Sequence, residues 1–196
     1  MILSVSRRTD VPAYYSDWFF ERIEAGYACV RNPVSRHQVS RISLAPEVVD
    51  CIVFWTKNPA PMLERLSLLK GYMYYFQFTL TGYGRDVEPG LPDKKRVLIP
   101  AFRSLAGSLG AERVIWRYDP IFFSERYTAD YHLRAFAQIA EHWKDIQSGW
   151  SSVFWISTLR YERTWKDWAV NPLRRKVCAC WPGSWPGPPK ATAWRS

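Results

Sequence analysis

The chain has 196 residues, 47% of them hydrophobic and 16% aromatic, enough for one domain with a sizeable core and too few for two comfortable ones. It turns charged within MILSVSRRTD and holds no run of about 18 apolar residues, so neither a membrane span nor a secretory signal is expected and the protein reads as cytoplasmic. The net charge of +9 is unevenly placed: 18 Lys/Arg oppose 15 Asp/Glu up to His142 and 9 oppose 3 from Trp143 onward, so the body is nearly balanced and the surplus sits in the tail.

Short apolar runs alternate with longer amphipathic ones, the pattern of βα units building a parallel sheet. Ile2 to Ser6 reads as a first strand, and Asp17 to Tyr27 as a helix with Trp18, Phe19, Ile23 and Tyr27 on one face. A second strand of the series is expected near Ala28 to Val30. Val48 to Trp55 follows as a strand buried on both faces, and Ala60 to Lys70 as a helix with Met62, Leu63, Leu66 and Leu69 at helical spacing. Next come a strand over Tyr72 to Leu80, a helix over Lys94 to Leu109 closed by Gly110, and a strand over Arg113 to Trp116. A helix over Thr128 to His142 carries Tyr131, Phe136, Ile139 and Ala140 as its apolar stripe. The fold class is therefore α/β: a partial (β/α) TIM-type barrel over residues 1–142 and an irregular tail over 143–196.

In parallel α/β architectures the site lies where strands end, because the loops converge there. The strand ends share a style, abandoning apolar residues for cations, amides and hydroxyls before breaking at Pro or Gly. They supply Ser6, Arg7, Arg8, Thr9 and Asp10; Arg31 and Asn32; Thr56, Lys57 and Asn58; Gln77 and Thr79; and Arg117 and Asp119. The cations suit carboxylate or phosphate, so an anionic small molecule is one expected partner. Asp10, Lys57 and Asp119 are the candidate catalytic groups. An Arg–Asp network without catalysis fits the two carboxylates equally well, and Asp10 before Pro12 also reads as a helix-entry cap. Core filling is preferred over ring stacking for Trp55, Trp116, Tyr118 and the Tyr74-Tyr75-Phe76 run. Gly82-Tyr83-Gly84 is discounted as a phosphate loop because a charged loop, Arg85 to Leu91, follows it instead of a helix. His37 and His132 are read as surface or helix-face residues. Cys29 and Cys51 are read as buried free thiols, and Cys178-x-Cys180 matches no zinc set, so no metal site is expected.

The strings SVSRRTDVPAYYSDWF, VRNPVSRHQVSRISL, VDCIVFWTKNP, YYFQFTLTGYG and RVIWRYDPI together resemble a bacterial and archaeal domain-of-unknown-function family, number 1848. The resemblance runs from Met1 to about His142. It implies a (β/α)-barrel enzyme similar to radical S-adenosylmethionine proteins and DNA-repair lyases, with an iron–sulfur cluster held by a C-terminal Cys cluster in intact members. This chain has only Cys178-Ala179-Cys180 in that region, so no cofactor is expected in it and it reads as inactive.

Eight of the eleven tryptophans lie from Trp143 onward without period. Trp has the single codon TGG, into which a slipped frame converts Leu followed by Ala, Glu or Gly. Back-translation of Trp181 to Ser196 in the shifted frame permits LAGKLARAAKGHGMEI, an amphipathic helix stopped by Gly. The tail therefore reads as an out-of-frame translation. Two further readings stay open: a nucleic-acid-binding module, with the basic tail and aromatics supplying charge and stacking, and a scaffold without turnover.

Overall fold

The computed structural model describes residues 1–6, 8–35, 37–143 and 146. Four parallel strands, β1 (Ile2–Val5), β4 (Cys51–Thr56), β5 (Tyr74–Thr79) and β6 (Val114–Arg117), form one sheet in the order β1-β4-β5-β6. Each strand lies beside the next of the series, with no reversal of direction along the sheet. Among the described residues the sheet is open, with β1 and β6 at its edges.

Short-range signals explain the elements. A first turn, α1 (Val11–Tyr14), is capped by Asp10, whose carboxylate accepts from the Ala13 N–H at 3.1 Å. α2 (Ser16–Ala25) ends at Gly26, whose φ of 75° needs a residue without Cβ. Phe19 and Phe20 are its buried aromatics, whereas Trp18, expected on the apolar face, is exposed. Residues Ala60–Leu69 wind as a 3-10 helix instead of the expected α-helix; Pro59 and Pro61 remove amide donors from its first turn, and the Met62 N–H bonds the Pro59 carbonyl. Lys94–Leu98 form one wider π-turn opening α3 (Ile99–Leu109), and α4 (Ala129–Glu141) is capped by Thr128.

The expected second strand of the parallel series is instead one arm of a hairpin. β2 (Tyr27–Arg31) pairs antiparallel with β3 (Val39–Ser43), which sequence reasoning had not assigned, and neither joins the main sheet. The physical reason is length, since residues 32–38 are too few for the crossover that parallel pairing requires. The alternating Val39-Ser40-Arg41-Ile42-Ser43 was the available signal. Cys29, read as buried, is exposed on this hairpin, and Cys51 is only half-buried.

Period-2 alternation gives the main sheet two unlike faces. Ile52, Phe54, Tyr74, Phe76, Phe78, Val114 and Trp116 are buried and pack with Phe19, Phe20, Met62, Leu69, Phe102 and Phe136 into one core. Trp116 stacks on Phe136 at 4.9 Å, and its indole N–H donates to the Leu80 carbonyl. Trp143 belongs to the same core, 4.0 Å from Phe102, so apolar packing continues one residue past His142. On the second face Trp55, Tyr75, Gln77, Thr79, Ile115 and Arg117 are each half-buried. Of the tail over 143–196, all except residues 143 and 146 lies outside the described residues.

Candidate functional site

Parallel pairing places the ends of β1, β4, β5 and β6 on one rim. At the first, Ser6 has a φ of 77°, the only positive φ at a non-glycine among the described residues. Its hydroxyl accepts from the Val11 N–H at 3.0 Å, which ties the strand end to α1. Asp10 then joins two strand ends: one oxygen caps α1, and the other accepts from the Lys57 N–H at 2.7 Å just past β4. Burial holds its carboxyl above the ordinary range, although the Lys57 and Ala13 amides and the Thr56 hydroxyl donate to it. Both oxygens being engaged, Asp10 is a brace.

The loop after β5 supplies a group that the sequence did not reveal. Glu88 is buried, with Lys57 Nζ on one oxygen and, on the other, Lys94 Nζ at 2.5 Å and the Thr81 hydroxyl at 3.1 Å. Burial alone would raise its pKa, but the two ammonium groups outweigh that and hold it below the ordinary carboxylate value. Lys94 has its other donors on the Thr81 and Tyr83 carbonyls, at 2.8 and 2.6 Å. The π-turn brings Lys94 back onto this loop, and such single wide turns recur at functional sites. Glu88 was overlooked because it lies in a loop dismissed as merely charged, and Lys94 because it reads as the start of an amphipathic helix.

At the end of β6, Arg117 and Asp119 form a direct ion pair, each nearly buried. The Arg117 guanidinium lies 4.2 Å from the centre of the Trp55 ring. Burial lowers the Arg117 pKa and raises that of Asp119, in the latter case against the pull of Arg117 and Lys57. Three buried polar atoms here have no hydrogen-bond partner among the described residues: Arg117 Nε, Asp119 Oδ1 and Trp55 Nε1. Native proteins rarely leave such atoms unsatisfied unless water or a ligand completes them.

Behind the pair, Tyr118 and His132 are buried together; of the two places read for His132, a surface or a helix face, it takes the inner face of α4 and is 1% exposed. Its Nε2 meets the Phe122 carbonyl at 3.0 Å, so the proton sits there and Nδ1 accepts from the Tyr118 hydroxyl at 3.0 Å. Burial pushes the phenol well up and pulls the imidazole down, keeping both neutral. Gly82 and Gly84 form no phosphate loop: the Gly84 N–H is bound to the Tyr127 hydroxyl, and the Gly82 carbonyl accepts from Tyr131 at 2.6 Å.

The remaining candidates divide clearly. Thr56 Oγ1 accepts from the Asn58 N–H, and Asn58 Oδ1 from the Ala60 N–H, so both shape the turn after β4. Gln77 and Thr79 are half-buried on the second face, beside Trp55 and Arg117 respectively in register. Arg31 and Asn32 belong to the hairpin, where the Asn32 side chain closes the tip with Val34 and Gln38. Arg8 is exposed and donates to the Arg31 carbonyl at 2.8 Å, Thr9 is exposed, and Arg7 lies outside the described residues.

A parallel sheet with helices between its strands defines an α/β protein, and the braced ionisable groups at its strand ends make that rim the candidate site. Over residues 2–181 the chain matches the Domain of unknown function family DUF1848, and it belongs to that family. The match runs past the His142 limit of the strings read from the sequence. No curated protein and no solved structure matches the chain. No helix among the described residues is long and apolar enough to cross a membrane.

The described residues do not fit an iron–sulfur centre. No three His, Cys, Asp or Glu side chains cluster among them, and Cys51 opens β4 at the end opposite the rim while Cys29 lies on the hairpin. Cys178 and Cys180 lie outside the described residues.

Proposed function

We propose that this chain carries the rim site of a (β/α)-barrel enzyme, in which a small polar molecule sits against Trp55, Arg117 and Asp119. The observation that carries this is that three side chains in mutual contact through Arg117 each hold a buried polar atom without a partner among the described residues. Two are N–H donors and one is a carboxylate oxygen, so the bound group offers both acceptors and a donor. Asp119 has the free oxygen and the raised pKa of a proton-transfer group, and Arg117 orients the ligand. Asp10, Lys57, Glu88 and Lys94 position the strand ends. The sequential strand order supports the barrel, since a doubly wound sheet would reverse.

An anionic ligand draws less support than the sequence suggested, because Lys57 and Arg117 already face Glu88 and Asp119. Native mass spectrometry of the full chain with a small-metabolite extract, run beside Arg117→Gln and Asp119→Asn, tests the reading. An adduct held by the parent and lost from both folded variants supports it. No adduct, or one retained equally by all three, overturns it.

A second reading rests on the hairpin. From Gly26 to Pro46 there is no carboxylate, and Arg31, His37 and Arg41 are exposed on β2, β3 and their connection. This is a surface suited to nucleic acid in the cytoplasm. Salt-dependent binding of a single strand that survives Arg31→Gln with Arg41→Gln would exclude the hairpin. The out-of-frame reading of the tail is a separate proposal, supported by its aperiodic tryptophans and opposed over 143–181 by the family match that extends to residue 181; an uninterrupted genomic frame across codons 140–157 and onward would remove it.

A further inference from the structure

We propose that a second ligand site, distinct from the rim, occupies the cavity of about 260 Å³ between the start of the π-turn–α3 helix and α4, and that it takes a small molecule with one carboxylate or phosphate group on an apolar, ring-sized body. The floor is apolar, made by Leu80, Ile99, Ala135 and Ile139. The mouth is polar and cationic, with Lys95 from one helix and Arg134, Gln138 and His142 from the other, all four exposed. Among the described residues no carboxylate lines the cavity.

Charge and donor geometry together select the ligand class. Lys94 also lines the cavity, but its three donors are taken by Thr81, Tyr83 and Glu88, so it adds charge without a free N–H. The directed donors are therefore those of Lys95 and Arg134, on opposite walls, and a carboxylate or phosphate between them answers both. An inorganic anion alone would leave the apolar floor uncovered, whereas a ring on the same anion buries it.

The wall at the loop after β5 is pinned before any ligand arrives. The Tyr131 hydroxyl donates to the Gly82 carbonyl at 2.6 Å, and a Cβ on Gly82 would fall 2.5 Å from the Ala135 Cβ, so loop and helix already touch. Such preorganisation lowers the ordering cost of binding. The site also abuts the Lys94–Glu88 contact, so its occupant lies one residue from the brace of the rim.

Phenyl phosphate is the probe, titrated onto the full chain by calorimetry at fixed ionic strength, with inorganic phosphate as reference. Phenyl phosphate is expected to bind at least tenfold more tightly than phosphate. Lys95→Gln combined with Arg134→Gln is expected to weaken it at least tenfold, and Gln138→Trp, which narrows the mouth without changing charge, to do the same. These positions are exposed on helices, and an unchanged melting temperature verifies folding. Arg117→Gln, at the rim, is expected to leave the affinity unchanged. Equal affinity for phosphate and phenyl phosphate, indifference to the Lys95/Arg134 double change, or loss of binding in Arg117→Gln would each overturn the proposal.

Discussion

Glu88 and Asp119 stand in the loops after neighbouring strands, β5 and β6, and both are shielded from solvent, yet their surroundings differ. Glu88 receives two ammonium groups and a hydroxyl, so both oxygens are occupied and its carboxylate is favoured. Asp119 receives one guanidinium on one oxygen and, among the described residues, nothing on the other, and its carboxylate is disfavoured. A carboxylate with both oxygens engaged fixes structure; one with an unused oxygen and a raised pKa is available for ligand and proton. The comparison separates a carboxylate that braces the rim from the one proposed to meet a ligand there.

Substitutions at four positions break or sharpen it. The largest effect on stability is expected from Glu88→Gln, which leaves Lys57 and Lys94 without their shared counter-charge; the loss should be about 2–4 kcal/mol, read as a lower urea midpoint. Its pH dependence follows from the depressed folded-state pKa. Glu88 contributes stability above the unfolded carboxylate pKa of 4.5 and loses it as pH falls through the lower folded value, so Glu88→Gln should flatten the acid limb of a stability–pH curve. Gly82→Ala follows, at about 1–3 kcal/mol, because the new Cβ would meet Ala135 at 2.5 Å and Tyr118 Oη at 3.1 Å.

Asp119→Asn should reverse the order of the two readouts. The raised folded pKa means that ionising Asp119 lowers stability as pH rises from the ordinary value of 3.8 through the folded one. The amide oxygen still accepts from Arg117, so the net stability change should be within about 1 kcal/mol while the small-molecule adduct of the proposed rim site is lost in native mass spectrometry. A variant that melts as early as Glu88→Gln would remove the distinction. The smallest effect concerns Ser6. Ser6→Ala loses the hydroxyl that accepts from Val11 and keeps the strained φ, whereas Ser6→Gly loses the bond but relieves the strain; by thermal melting the glycine variant should be the more stable by about 1 kcal/mol.

Much of the fold was legible because local signals specified it. Helical spacing of apolar residues located α2, α3 and α4, Gly26 and Gly110 marked helix ends, and the apolar runs around Phe54, Phe76 and Trp116 marked the sheet. The rim was legible in outline, since Asp10, Lys57, Arg117 and Asp119 were singled out as strand-end polar residues. The hairpin, the buried His132 and the exposed Trp18 were not, because strand direction and helix rotation depend on what each element meets.

From the sequence alone follow the α/β class, the succession of elements, the family, and the crowding of polar residues at strand ends, because periodicity, turn chemistry and ordered strings are properties of neighbouring residues. Tertiary structure decided which polar residues meet and which atoms go unsatisfied. Glu88 reaches Lys57 across 31 residues and Asp10 reaches the Lys57 amide across 47, and such separations are closed by strand pairing, not by any local pattern. Whether a carboxylate braces or reacts depends on the count of donors around it, and that count exists only once the strands are side by side.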